Sequence, residues 1–243
     1  MKCTEIKVKM ALSKSGLEYV EYSLNPYTGC SHSCIYCYSP YVIKRDPQEF
    51  WNNIMVKVNL PLILQREVKQ VRGNIFIGSV TDPYQPCEND YAITRRSLEI
   101  LIKNKIKFTI LTKSNLIVRD LDLLNNYEHA EVGFTLNTMD EDLKSILEPR
   151  SPEPEKILDA ISRVKVKKYV MIAPLFSTIE NELENMFDIF SQLGVNYVLM
   201  DKFRYRVGMP ESLKKYFYKN EERIKILALK LSLEKKLPVY FSF

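Results

Sequence analysis

Short apolar runs recur along this chain of 243 residues, each followed by a helical stripe, and that alternation constrains the fold more than any other feature. The runs are Ile75-Phe76-Ile77, Phe108 to Leu111, Val132 to Leu136, Tyr169 to Ile172 and Tyr197 to Met200. They are rich in β-branched and aromatic residues and apolar on both parities. Strands covered on both faces of a parallel sheet read this way. Between them apolar residues keep helical spacing. Examples are Leu98, Leu101 and Ile102, then Ile117, Leu121 and Leu124, then Ile157, Ile161 and Val164. The stripe Ile179, Leu183, Met186, Phe187, Phe190 and Leu193 continues one face over four turns. An earlier strand is expected near Tyr19 to Leu24, with a helix from Pro61 to Val71, which makes six strand–helix units. Such units join by right-handed crossovers into an α/β fold. A complete eightfold barrel takes ~250 residues, so a barrel here would be incomplete or tightly built.

Polar residues gather where each strand should end: Ser79, Thr81 and Asp82 after the second, Thr112 and Lys113 after the third, Thr135 and Asn137 at the fourth. Pro174 follows the fifth, and Asp201 and Lys202 the sixth. In parallel barrels the active site gathers at these C-terminal strand ends.

With 46% apolar and 27% charged residues, the composition is that of a soluble globular chain. No Gly, Ser or Pro-rich linker divides it, so a single domain is expected over 1–243, with a core at about 18–201 and a basic helical extension at 202–243. The longest apolar run, Tyr169 to Phe176, is far short of the roughly twenty residues of a membrane span. The N-terminus lacks the apolar stretch of a leader peptide, and the expected compartment is the cytoplasm. Residues 201–243 hold eleven basic and five acidic side chains, within a chain of net charge +5. The segment Asp201-Lys202-Phe203-Arg204-Tyr205-Arg206 interleaves cations with rings, a pattern that suits single strands or splayed bases. A solvated helix face, or arginines paired with acids, would produce the same letters.

Five cysteines are an odd count, and no disulfide framework is expected. Cys3 and Cys87 read as small apolar fillers. Cys30, Cys34 and Cys37 fall within eight residues, in Asn25-Pro26-Tyr27-Thr28-Gly29-Cys30-Ser31-His32-Ser33-Cys34-Ile35-Tyr36-Cys37-Tyr38. Three thiolates at this spacing can wrap one side of a cubane iron–sulfur cluster and leave one iron open. Zinc is the competing reading, with His32 as a fourth ligand, although no second cysteine knuckle exists to complete the usual pattern.

The motif C-x3-C-x2-C with an aromatic before the last cysteine resembles the signature of the radical S-adenosylmethionine (SAM) enzymes. The stretches NPYTGCSHSCIYCY, IGSVTDPYQP, LTKSNLIVRDLDLL, GFTLNTMDEDL, LEPRSPEPEKILDAI and IAPLF are similar to the spore photoproduct lyase-related branch, over roughly residues 22–176. The resemblance implies a partial (β/α)6 barrel of parallel strands. It implies a [4Fe–4S] cluster on Cys30, Cys34 and Cys37, whose open iron chelates SAM. One electron then splits the sulfonium to a 5′-deoxyadenosyl radical, which takes hydrogen from a substrate. It places Tyr36 against the adenine and Lys113 on the SAM carboxylate. Thr135 and Asn137 fall near the methionyl and ribose groups, Ser79, Thr81 and Asp82 near the amino group, and Pro174 where the fifth strand packs on adenine. A flavodoxin- or ferredoxin-type reductant is implied by the same chemistry. The lyase's hydrogen-returning cysteine falls at Val80, which has no labile hydrogen, so the repair reaction is not expected of this chain. Two further readings stay open on the residues alone: a metal-stabilised nucleic-acid-binding module, and an electron carrier.

Overall fold

Among the described residues the strands are β1 (Lys2–Ile6), β2 (Leu12–Lys14), β3 (Tyr22–Leu24), β4 (Tyr27–Thr28), β5 (Asn53–Lys57), β6 (Ile75–Ile77), β7 (Phe108–Thr112), β8 (Ala130–Thr135), β9 (Lys167–Ile172), β10 (Tyr197–Met200) and β11 (Val239–Phe241). The structure is a computed structural model, and it describes residues 1–16 and 20–243. The main sheet runs β11-β10-β9-β8-β7-β6-β3-β2. Every pairing from β3 through β11 is parallel, and β2 adds an antiparallel edge. A small second sheet sets β1 parallel and β4 antiparallel to β5.

The expected α/β architecture of a partial barrel with parallel strands is present. Strands β3, β6, β7, β8, β9 and β10 are the six anticipated ones, although Tyr19 and residue 18, the expected starts of strand and core, lie outside the described residues. Helices Ile93–Lys103, Pro154–Arg163 and Ile179–Gln192 occupy the crossovers, and each buries its apolar stripe on the sheet. The helix at 61–71 is observed as Leu60–Glu67 continued by a 3-10 turn. Beyond the expected C-terminal helix, Glu221–Lys235, the chain returns as β11 beside β10, with Val198 opposite Val239. Three residues carry too little pattern to be told from a tail, so this strand was not legible.

One face of the sheet is dry: Ile75, Ile77, Ile110, Val132, Phe134, Val170, Ile172 and Val198 are all fully buried, whereas on the other face Phe76, Thr109, Glu131, Met171 and Leu199 are only half-buried, so the expected cover on both faces is complete on one. Gly133 is required by that packing. A Cβ there would lie 2.2 Å from Cζ of Tyr169, whose ring covers the glycine and stacks on Tyr197 with centroids 5.0 Å apart.

One expectation is overturned. Cys3 and Cys87 are not separate apolar fillers. They form a disulfide, with Cα atoms 6.5 Å apart, that ties β1 to the segment beyond β6. An odd count permits this bridge because Cys30, Cys34 and Cys37 stay free and leave an even pair. Among the described residues no helix is long and apolar enough to cross a membrane.

Candidate active site

The cysteine loop leaves β4 through Gly29, whose φ of +101° belongs to the region that favours glycine. A Cβ at this position would sit 2.7 Å from the Phe50 carbonyl, the group that accepts the next amide, Cys30 N, at 3.1 Å. The loop is then pinned from outside. Thr81 Oγ1 and Gln85 Nε2 donate to the Gly29 carbonyl at 2.6 and 3.1 Å, and Ser31 N donates to Gln85 Oε1 at 3.0 Å. Ile35 N reaches the Leu147 carbonyl at 3.0 Å.

Asp82 anchors the loop to the strand ends. Its Oδ1 accepts from Tyr84 N at 2.8 Å and Thr112 Oγ1 at 2.7 Å, and its Oδ2 accepts from Lys113 N at 2.8 Å. His32 Nε2 stands 3.2 Å from the same Oδ2, and His32 Nδ1 lies 3.3 Å from the Arg150 carbonyl. Both nitrogens of His32 are thus turned to protein groups, away from a role as a metal ligand. Burial alone would push the Asp82 carboxyl up. His32 and the donors from Lys113 and Thr112 outweigh it and hold the carboxyl below its ordinary range.

A second buried carboxylate, Glu148, was missed by sequence reasoning. It follows helix Glu141–Leu147 and is 5% exposed. Its Oε1 accepts from Lys113 Nζ at 2.9 Å, from Asn137 Nδ2 at 2.8 Å and from the Tyr36 hydroxyl. Ser151 Oγ donates to Oε2 at 3.2 Å. Asn137 Nδ2 also reaches the Tyr36 oxygen at 2.9 Å, while its Oδ1 accepts from Ala173 N at 2.7 Å. That last contact draws in the buried Pro174, joined to Ala173 by a cis peptide. Burial works against both charges here, yet Lys113 is raised and Glu148 lowered, because each stabilises the other. Tyr36 stands edge-on to Phe176 and Phe217, 5.6 and 6.0 Å away, in a small apolar cluster with Cys34, Leu143, Leu147 and Leu213.

The structure therefore assembles Tyr36, Lys113 and Asn137 beside Cys34, sets Pro174 next to the Ala173 that Asn137 holds, and joins Asp82 to them through the Lys113 backbone. Ser79 and Thr81 do not join this group. Ser79 Oγ pairs with Asn25 Nδ2 at 3.0 Å and Thr81 buttresses Gly29. Thr135 is buried at the end of β8.

Cys30, Cys34 and Cys37 are free, and burial pushes all three thiols up. Lys113 is a cation whose charge opposes that shift at Cys34 and Cys37. Buried thiols of this kind suit an iron cluster, whose positive charge takes the thiolate form. Ser31 Oγ, inside the same loop, is buried without a partner. Among the described residues no three His, Cys, Asp or Glu side chains gather where one ion would sit, and a cluster makes a different demand, because each cysteine binds its own iron.

The basic segment past β10 is mostly self-paired. Arg204 closes on Asp201 at 3.0 Å and Lys202 on Glu221 at 2.8 Å, while Tyr205 and Arg206 stay exposed.

Known proteins resemble this chain in sequence or in fold. An uncharacterized protein of Methanocaldococcus jannaschii is 35% identical over 175 residues, which cover 70% of this chain and 66% of that protein. One from Mycobacterium tuberculosis is 28% identical over 207 residues, covering 78% and 61%. The chain thus matches a little under two thirds of the length of these relatives. Among solved structures, a spore photoproduct lyase variant superposes with a TM-score of 0.80 at 16% identity, over 99% of this chain and 82% of that one. A variant with bound AdoMet and dinucleoside spore photoproduct gives 0.77 at 15% identity, over 98% and 82%. At such identities the likeness is one of fold. The family match is the more specific finding: residues 24–190, from the end of β3 and the three cysteines into helix Ile179–Gln192, match the Radical SAM superfamily, and the chain belongs to that superfamily.

Proposed function

We propose that this chain is a radical SAM enzyme that holds a [4Fe–4S] cluster on Cys30, Cys34 and Cys37 and binds SAM at the strand-end group beside them. The observation that carries the reading is the convergence of Tyr36, from the cysteine loop, with Lys113 and Asn137, from two separate strand ends, next to Cys34. When bound, the cluster supplies the electron that splits the SAM sulfonium and releases a 5′-deoxyadenosyl radical. The chain's own part is to bind and orient. Lys113 offers a point charge for the carboxylate. Tyr36, fixed by its hydroxyl and by two edge-on rings, offers a face for the adenine. Asn137 fixes the strand end before Pro174 through Ala173 N. Asp82 has no oxygen free of protein donors, so its role is to hold the loop against Lys113 rather than to meet SAM. The chemistry also implies a flavodoxin- or ferredoxin-type electron donor.

The test is anaerobic reconstitution with iron and sulfide, reduction with dithionite, addition of SAM and assay for 5′-deoxyadenosine, with Cys34→Ala alongside. About four irons per chain and product from the wild type alone are expected. Iron without SAM cleavage would overturn the reading. A nucleic-acid substrate is supported by the dinucleoside held in the fold neighbour and by the exposed Tyr205 and Arg206 past β10. Arg206→Ala should lower the salt slope of RNA or DNA retention by about one, whereas Arg204→Ala, already closed on Asp201, should change it less. The repair reaction itself is not proposed. Val80 offers no hydrogen, and Cys87 is bound to Cys3.

A further inference from the structure

Glu148 carries more of this site than any residue singled out in the sequence. Its one oxygen, Oε1, receives three donors that arrive from far apart in the chain: Tyr36 from the cysteine loop, Lys113 from beyond β7 and Asn137 from beyond β8. Its other oxygen is held by Ser151 at 3.2 Å, on the turn that follows its own helix. The backbone beneath the carboxylate is fixed, because the Glu148 amide donates to the Lys144 carbonyl at 2.7 Å and the Ser151 amide donates to the Glu148 carbonyl at 3.1 Å. Lysine reaches its target on a long flexible stem that loses rotamer freedom on ordering. A fixed counter-charge removes that loss before the ligand arrives, which is how preorganisation raises affinity.

We propose that Glu148 is a positioning residue for SAM: it holds the Lys113 ammonium inward and fixes Tyr36 and Asn137 around it, so that the methionyl carboxylate meets a cation already in place. The proposal rests on the SAM-binding reading above. Stripped of Glu148, the Lys113 ammonium would lose the one carboxylate within 4 Å of it among the described residues and turn out to water.

The experiment uses the reconstituted protein and reads SAM affinity by equilibrium dialysis, with iron content and thermal melting recorded for each variant. Glu148→Gln keeps the shape and the acceptor but removes the charge. Glu148→Asp keeps the charge but withdraws it by one methylene. Both should bind SAM about tenfold more weakly, the loss expected for a hydrogen bond to a charged group, with the deficit falling on KM more than on kcat. Lys113→Met should show a similar loss, and Glu148→Gln combined with Lys113→Met should be no worse than Lys113→Met alone, because the two act through one interaction. A residue with a merely structural role would give additive losses instead. Affinity within about twofold of wild type in a folded Glu148→Gln protein overturns the proposal. So does tighter binding, which would make Glu148 a competitor for Lys113, and so does failure of the variants to load iron, which would make it a support for the cysteine loop. If the wild type itself binds no SAM, the functional reading falls, and that outcome is separate from the others.

Discussion

Replacing Lys57 with methionine tests how dry the ground beside the strand ends is, at a residue away from the cysteines. Lys57 closes β5, and its Nζ donates to the Asn25 carbonyl at 2.8 Å. Burial pushes the ammonium down to about 8. In an unfolded chain a lysine titrates near 10.4, and each unit of difference corresponds to about 1.4 kcal/mol, so holding Lys57 charged at pH 7 costs the fold at most about 3 kcal/mol. Because the folded value lies below the unfolded one, the unfolded chain binds more protons between about pH 8 and 10.4, and wild-type stability rises with pH across that window. Methionine keeps the apolar stem, removes this cost and loses one hydrogen bond worth about 1 kcal/mol. The variant should therefore be more stable than wild type by about 2 kcal/mol at pH 7 and less stable by about 1 kcal/mol above pH 10.4, so the sign crosses in between. Urea unfolding of both proteins at several pH values measures it. A stability difference that stays constant with pH, or a loss at pH 7, would refute the burial argument.

Three further outcomes follow from the same contacts. Gly29→Ala places a Cβ against the Phe50 carbonyl in a backbone region that costs an L-residue roughly 1–2 kcal/mol, so iron content after reconstitution should fall together with the melting temperature; full iron loading would count against the loop geometry. Arg119 reaches the fully buried Glu88 at 2.7 Å and Asp120 at 2.8 Å, while Asp120 also pairs with Arg95 at 3.0 Å and Glu88 accepts from Thr94 N at 2.8 Å, so Arg119→Ala should lower unfolding free energy by about 1–3 kcal/mol in denaturant titration. The bridge between Cys3 and Cys87 spans 84 residues of sequence, so the oxidised protein should be more stable than the dithiothreitol-treated one by roughly 2–4 kcal/mol, and Cys3→Ser should abolish that difference.

What was legible in the sequence is what lies close together in it. The cysteine spacing is local, and so is the two-sided apolar pattern that makes each parallel strand. Lys113, Asn137 and Pro174 could be placed because strand ends point one way in a parallel sheet, and their convergence followed from topology. Glu148 lies in LEPRSPEPEKILDAI, one of the stretches that carry the resemblance, but nothing in its own spacing singles it out. It stands in a charged stretch, Met139-Asp140-Glu141-Asp142-Leu143-Lys144-Ser145-Ile146-Leu147-Glu148, where neighbouring carboxylates Glu141 and Asp142 are exposed. Only the meeting of three distant donors separates the buried acid from its solvated neighbours. Asp82 shows the same limit from the other side: its position was found, but not that Tyr84, Thr112, Lys113 and His32 would occupy its oxygens. The loop's supports are long-range too, since Gly29 leans on Thr81, Ser31 on Gln85, Ile35 on Leu147 and Cys30 on Phe50. A motif of eight residues can announce the chemistry because its three cysteines stand at a fixed local spacing. The groups that aim that chemistry answer to packing instead, so they can be read only once the strands are side by side.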